Sequence, residues 1–173
     1  MKLIVFGYKR HGKDTACKYL QRRYDLKYTA SSAYACDTFL YDQLKGRFGY
    51  KSKRQCFEDR VNHSQLWYEA IREYNANDRA RMGREIFSVH SVYCGIRDRE
   101  EFEALRAAGL FDLAVWIDAS DRLPPEDTDS MNVTIDDADV VISNNHGLLD
   151  LYRSLDAFVE GLALAPAAVK KAG

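Results

Sequence analysis

The sequence predicts an α/β fold with three layers, α/β/α, around a parallel sheet of about five strands. Three observations carry this expectation. Short apolar runs such as Leu3-Ile4-Val5-Phe6 suit strands covered on both faces. These runs alternate with segments of helical periodicity, and strand–helix–strand order implies parallel pairing through right-handed crossovers. The 173 residues make one domain on the usual size prior, long enough to bury roughly 70% of the unfolded surface.

The elements follow in order. Residues 3–6 form the first strand and end at Gly7. Residues 14–24 read as a helix with Cys17, Leu20 and Tyr24 on one side, and a short strand lies near 27–30. Residues 35–84 show helical periodicity in pieces (Phe39, Leu40, Leu44; then Leu66, Trp67, Ala70, Ile71) broken at Gly46, Gly49 and 75–77. Residues 89–96 read as a strand. Asp98 followed by Glu101 is a capping-box pattern, opening a helix with Phe102, Leu105 and Ala108 on its apolar face and Gly109 as its C′ residue. Residues 113–117 form a strand, 119–137 a polar flap containing Pro124-Pro125, 139–142 a last strand and 147–162 a last helix. The tail from Ala165 reads as frayed.

Composition narrows the function classes. With 46% hydrophobic and 29% charged residues, the chain is neither disordered nor membrane-spanning; no apolar run approaches the roughly 20 residues a membrane helix needs. The 25 basic residues nearly cancel the 26 acidic ones, so nucleic acid is not expected as the main partner. No export signal is seen, and the four cysteines are scattered with no C-x-x-C pair. Reduced thiols, a cytoplasmic location and no zinc site are the expectation.

The informative segment is Gly7-Tyr8-Lys9-Arg10-His11-Gly12-Lys13-Asp14-Thr15, a G-x-x-x-x-G-K loop between a strand and a helix. Gly7 and Gly12 permit backbone angles that turn successive amides around a phosphate, and the helix start adds unpaired N–H groups and its dipole. Lys13 can reach β- and γ-phosphates, while Thr15 and Asp14 stand where oxygen donors could meet Mg²⁺. The hydroxyl comes one place later than in the strict pattern. The strand at 89–95 has no acid until Asp98, so the second metal-holding aspartate of motor ATPases and GTPases is missing. That favours a small kinase whose arginines converge on transferring phosphates.

Several stretches resemble the bacteriophage deoxynucleoside monophosphate kinases, within the P-loop nucleoside monophosphate kinases. They are Lys9 through Thr15; Val92-Tyr93-Cys94-Gly95-Ile96-Arg97-Asp98-Arg99-Glu100-Glu101-Phe102; Trp116 through Ser120; Asp129-Ser130; and Ala138 through Asn145. The Gly-Lys-Asp-Thr end of the loop is typical of that group, whereas other members carry an aspartate where Gly95 stands. Residues 35–84 match weakly. The resemblance implies a P-loop kinase fold in one domain spanning 1–173. In it, 35–84 would be a helical acceptor-binding insertion and 119–137 a lid-like flap. It also implies transfer of the γ-phosphoryl of ATP to a deoxynucleoside monophosphate with Mg²⁺, and it allows a homodimer.

On this reading Gly7, His11, Gly12, Lys13, Asp14 and Thr15 bind the nucleotide, and Lys13, Arg10 and Arg97 serve transfer. Arg97 leaves a strand at its carboxyl end, where α/β sheets place ligands, and a guanidinium fork matches phosphate oxygens; its plain alternative is a surface pair with Glu101. Arg47, Arg84, Arg97, Arg99 and Trp67 are candidates for the acceptor, and Arg122 is the one arginine in the flap. Lys45, Arg47, Lys51, Lys53 and Arg54 form a basic run: a phosphate clamp, a nucleic-acid patch or a solvated loop. A non-catalytic nucleotide sensor, or a kinase for another small acceptor, remains open beside the monophosphate kinase.

Overall fold

The computed structural model describes residues 1–125 and 131–164. Five strands, β1 (Leu3–Phe6), β2 (Tyr28–Ala30), β3 (Val92–Cys94), β4 (Leu113–Asp118) and β5 (Val140–Ser143), form one sheet in the order β2-β3-β1-β4-β5. Every pairing is parallel; Leu3 faces Val92 on one side and Leu113 on the other. A parallel sheet needs cover on both faces, and the central strands β1 and β3 are apolar and buried throughout for that reason.

Alternation along each strand sorts the core into two halves. Ile4, Phe6, Tyr93, Ala114 and Trp116 join one cluster, with Trp67, Ile86, Phe102 and Leu105 from the helical side. Leu3, Val5, Val92, Cys94, Val115 and Ile117 join the other, against α1 (Lys13–Tyr24) and α8 (Leu148–Leu164) through Cys17, Leu20, Leu151 and Leu155. The three layers expected from the sequence are therefore present.

Between β2 and β3 the chain is helical: α2 (Ser31–Ala35), a π-helical turn (Cys36–Leu40), α3 (Tyr41–Phe48), α4 (Lys53–Asp59), a 3₁₀ turn (Arg60–Asn62), α5 (Ser64–Tyr74) and α6 (Arg81–Val89). Gly46 lies inside α3, and the break falls at Gly49 in the left-handed region. The expected strand at 89–96 shortens to Val92–Cys94, because Val89 closes α6.

The expected capping box at α7 (Arg99–Ala107) is not formed. Asp98 holds the N-cap position, but its side chain caps nothing. Instead Arg99 N donates to Asn132 Oδ1 at 2.6 Å, and Glu101 is 2% exposed, accepting from Tyr93 Oη at 2.8 Å. A capping box does occur in the flap, where Thr134 and Asp137 satisfy each other's backbone N–H groups. Asp129 and Ser130, one of the stretches that carry the resemblance, and the tail from 165 lie outside the described residues. The four cysteines are free thiols, and among the described residues no helix is long and apolar enough to cross a membrane.

Candidate active site

The loop between β1 and α1 is held from below by the neighbouring strands. Gly7 has φ +141°, and a Cβ there would stand 2.6 Å from the Ile117 carbonyl oxygen, a backbone atom that cannot step aside. Gly12 has φ +98°, and a Cβ would run into the Asn144 side-chain amide, which itself donates to His11 O at 2.9 Å. Both glycines are thus required by close approach as well as by backbone angle. Arg10 also adopts a positive φ, 68°, at the loop's exposed turn.

His11 is fully buried and accepts from Ala119 N at Nδ1, 3.0 Å, so its ring ties the loop to the end of β4. Burial holds its pKa below the ordinary histidine value, with Asp118 opposing that effect. Gly12, at the N-cap of α1, brings no capping side chain, which leaves the first-turn N–H groups at Lys13, Asp14 and Thr15 without intrahelical partners. Lys13 Nζ donates to the Tyr8 carbonyl at 2.7 Å. The loop thus presents a helix start and an ammonium side by side, the two ingredients of an anion site.

A cavity of about 230 Å³ opens from this loop. Lys9, Arg10, Lys13 and Asp14 line it from the loop and α1; Ser31 and Ser32 line it from the end of β2. Phe57, Arg60, Trp67, Tyr68 and Arg72 enter from the helical segment, and Gly95, Arg97, Asp98 and Glu101 from the end of β3 and the start of α7. Ligand sites in parallel α/β sheets lie at these carboxyl ends.

Of the residues singled out in the sequence, Arg10, Lys13, Asp14, Arg97 and Trp67 line one cavity together. Gly7, His11, Gly12 and Thr15 build the loop behind it. Arg47, Arg84 and Arg99 stand elsewhere. Arg47 lies over the Phe48 ring, Arg84 pairs with Asp78, and Arg99 grips both oxygens of Asp137 at 2.6 and 2.8 Å while donating to Asn132 O. In the basic run, Lys45, Lys53 and Arg54 pair with Asp42, Asp37 and Glu58, so much of its charge is locally answered.

Sequence reasoning missed Arg60 and Arg72, and read Asp98 and Glu101 as a helix cap rather than as cavity wall. Arg60 stacks over Phe57 at 3.7 Å and donates to its carbonyl, so its guanidinium is fixed; burial lowers its pKa, with Asp14 pulling the other way. Arg72 lies 3.8 Å from Asp98 Oδ2 and 3.3 Å from Glu100, and Asp98 chiefly raises its pKa. Burial pushes the Glu101 carboxyl up to about 8, the Tyr93 hydrogen bond opposes the rise, and Asp98 adds to it.

Comparison with solved structures finds the same architecture. Shikimate kinase from Bacteroides thetaiotaomicron superposes with a TM-score of 0.54 at 12% identity, covering 95% of this chain and 99% of that one. The chain has a P-loop kinase fold. Shikimate kinase from Aquifex aeolicus (TM-score 0.49, 14% identity, 96% of this chain and 100% of that one) is also similar. So is a gluconokinase from Sinorhizobium meliloti (0.48, 13%, 94% and 95%). No protein-family model matches the chain, and neither does any curated protein.

Proposed function

We propose that the protein transfers the γ-phosphoryl group of ATP to a deoxynucleoside 5′-monophosphate, giving the diphosphate and ADP. The observation that carries this reading is the shared cavity: the phosphate-binding loop, a set of arginines and an aromatic wall line one space. A monophosphate acceptor has a dianionic end and a flat heteroaromatic end. Arg60 and Arg97 offer planar forks to the first, and Trp67, Phe57 and Tyr68 offer a surface for the second.

Lys13 exchanges the Tyr8 carbonyl for β- and γ-phosphate oxygens, trading one hydrogen bond for a stronger, charge-assisted one. The first-turn amides of α1 receive the same anion. Arg10, exposed beside the loop, covers the phosphate mouth. In-line transfer asks for alignment and charge neutralisation, both of which these fixed cations supply.

The cationic lining suits a phosphate acceptor, which needs no general base. A hydroxyl needs a base; a phosphate brings an ionised oxygen. Among the described residues the cavity's carboxyl groups are Asp14, Asp98 and Glu101. Glu101 is held protonated near neutral pH and bonded to Tyr93, and Asp98 lies between Tyr68 and Arg72.

Asp14 and Thr15 are the hard oxygen donors suited to Mg²⁺. Among the described residues no group of three or more His, Cys, Asp or Glu could hold a metal. One or two protein oxygens, water and nucleotide phosphates would complete its shell, the mixture this ion favours. When bound it neutralises phosphate charge.

The test is ADP release from Mg-ATP against the four dNMPs, shikimate and gluconate. Turnover with at least one dNMP is expected, with kcat/KM lowered about 100-fold or more in Lys13→Ala. ATP binding with no dNMP turned over, or turnover confined to a hydroxyl acceptor, would overturn the reading.

A further inference from the structure

Asp98 occupies a helix N-cap yet caps nothing, and it is 5% exposed in the wall of the cavity. Its two oxygens have four lone-pair sites. Tyr68 Oη donates to Oδ1 at 3.5 Å, and Arg72 Nε stands 3.8 Å from Oδ2; both distances are long against the usual ranges of roughly 2.5–3.0 Å for O–H···O and 2.7–3.2 Å for N–H···O bonds. A carboxylate this buried, this loosely held and facing a cavity calls for donors from a ligand.

Glu101 lies three residues on, in the first turn of α7, and lines the same cavity. One of its oxygens accepts from Tyr93 Oη at 2.8 Å, the Asn75 side chain stands beside the carboxyl as a second donor, and burial favours the neutral form, which has one O–H to give. Trp67, 4% exposed in the same wall, is an independent sign of a missing partner: its indole N–H is buried and has no hydrogen-bond acceptor. The wall therefore offers a donor at Glu101, two acceptor oxygens at Asp98, and a spare donor at Trp67 on a flat apolar face.

We propose that Asp98 sets the acceptor specificity of this site and selects guanine, so that dGMP is the preferred substrate. The inference rests on the monophosphate kinase reading above. Guanine presents O6 as an acceptor followed by N1–H and N2–H as donors, which pair with the Glu101 O–H and both Asp98 oxygens. Its N7 is an acceptor for which the Trp67 N–H is a match. Thymine sets its O2 lone pairs against the second Asp98 oxygen; adenine and cytosine set a ring-nitrogen lone pair against the carboxylate. Each mismatch leaves a buried polar group unpaired, and sites built from such groups discriminate strongly.

The experiment measures kcat/KM for dGMP, dAMP, dCMP and dTMP in the wild type and in Asp98→Asn. Tryptophan fluorescence titrations with the same four nucleotides, without ATP, report binding apart from turnover. The expected result is a preference for dGMP of about 100-fold over the next base, and a loss of similar size for dGMP in Asp98→Asn at unchanged KM for ATP. Another base leading, equal values across the four, or an unchanged dGMP preference in Asp98→Asn would overturn the proposal. The wild-type panel decides alone if Asp98→Asn does not fold. Guanine-selective binding with no turnover of any dNMP overturns the phosphotransfer reading and upholds the specificity. Turnover without guanine preference does the reverse.

Discussion

Replacing Glu101 by glutamine tests the electrostatics of the cavity wall through folding stability. Glu101 is 2% exposed, bonded to Tyr93 Oη at 2.8 Å and close to Asp98; burial moves its carboxyl from an ordinary 4.5 to about 8. In the unfolded chain the same group ionises near its ordinary value. Between those two limits the folded protein keeps a proton that the unfolded chain has released, so stability falls as pH rises. The slope from one such group approaches about 1.4 kcal/mol per pH unit, or roughly 2–3 kcal/mol between about pH 5.5 and 7.5. Below about pH 4.5 the contribution is flat, and above about 8 the folded carboxyl ionises too and the loss is complete. Glutamine keeps the shape and an oxygen for Tyr93 but cannot titrate. Urea denaturation across this pH range should show the wild type losing stability relative to Glu101→Gln by that amount. Parallel losses in the two proteins would refute the reasoning.

Two further substitutions check the loop and the flap. Gly7→Ala forces a Cβ to within 2.6 Å of a backbone oxygen at φ +141°, and should lower stability by about 2–4 kcal/mol in urea denaturation; a cost below about 1 kcal/mol would mean that the loop is not built as described. Arg99→Ala removes a bidentate pair with Asp137 that is partly open to water, 39% exposed on the arginine side. The expected cost is about 1 kcal/mol, and an unshifted urea midpoint would show that the pair contributes nothing.

The readable parts of the site are those in which chemistry and chain order coincide. Glycines, lysine and a strand–helix junction lie within nine consecutive residues, so the geometry of this loop is visible before any fold is known. Arg97 and Trp67 were reachable too, one from its strand end, the other from an aromatic stripe. Arg60 was not: it is one of many basic residues in a helical stretch, and only the stacking on Phe57 turns it to the cavity. Asp98 and Glu101 were misleading, because their spacing fits a capping box whether or not the side chains turn back to cap the helix. Asn132, donated by the flap from 33 residues away, took over the cap and freed Asp98. Val89 was misplaced because an apolar β-branched residue fits a helix end or a strand equally on local pattern.

By itself the sequence determined the three-layer architecture and the tight glycine loop between the first strand and the first helix. Both are written in short-range pattern: the period of apolar residues, and glycines at positions where a side chain would strike backbone. Only the tertiary structure decided which charges face the cavity, since that depends on which segments pack around it and which carboxylates reach each arginine. It sent Arg84 and Arg99 to carboxylates elsewhere and brought Arg60, Arg72, Asp98 and Glu101 to one wall. A buried charge is settled by whichever partner reaches it, and chain order does not encode that reach.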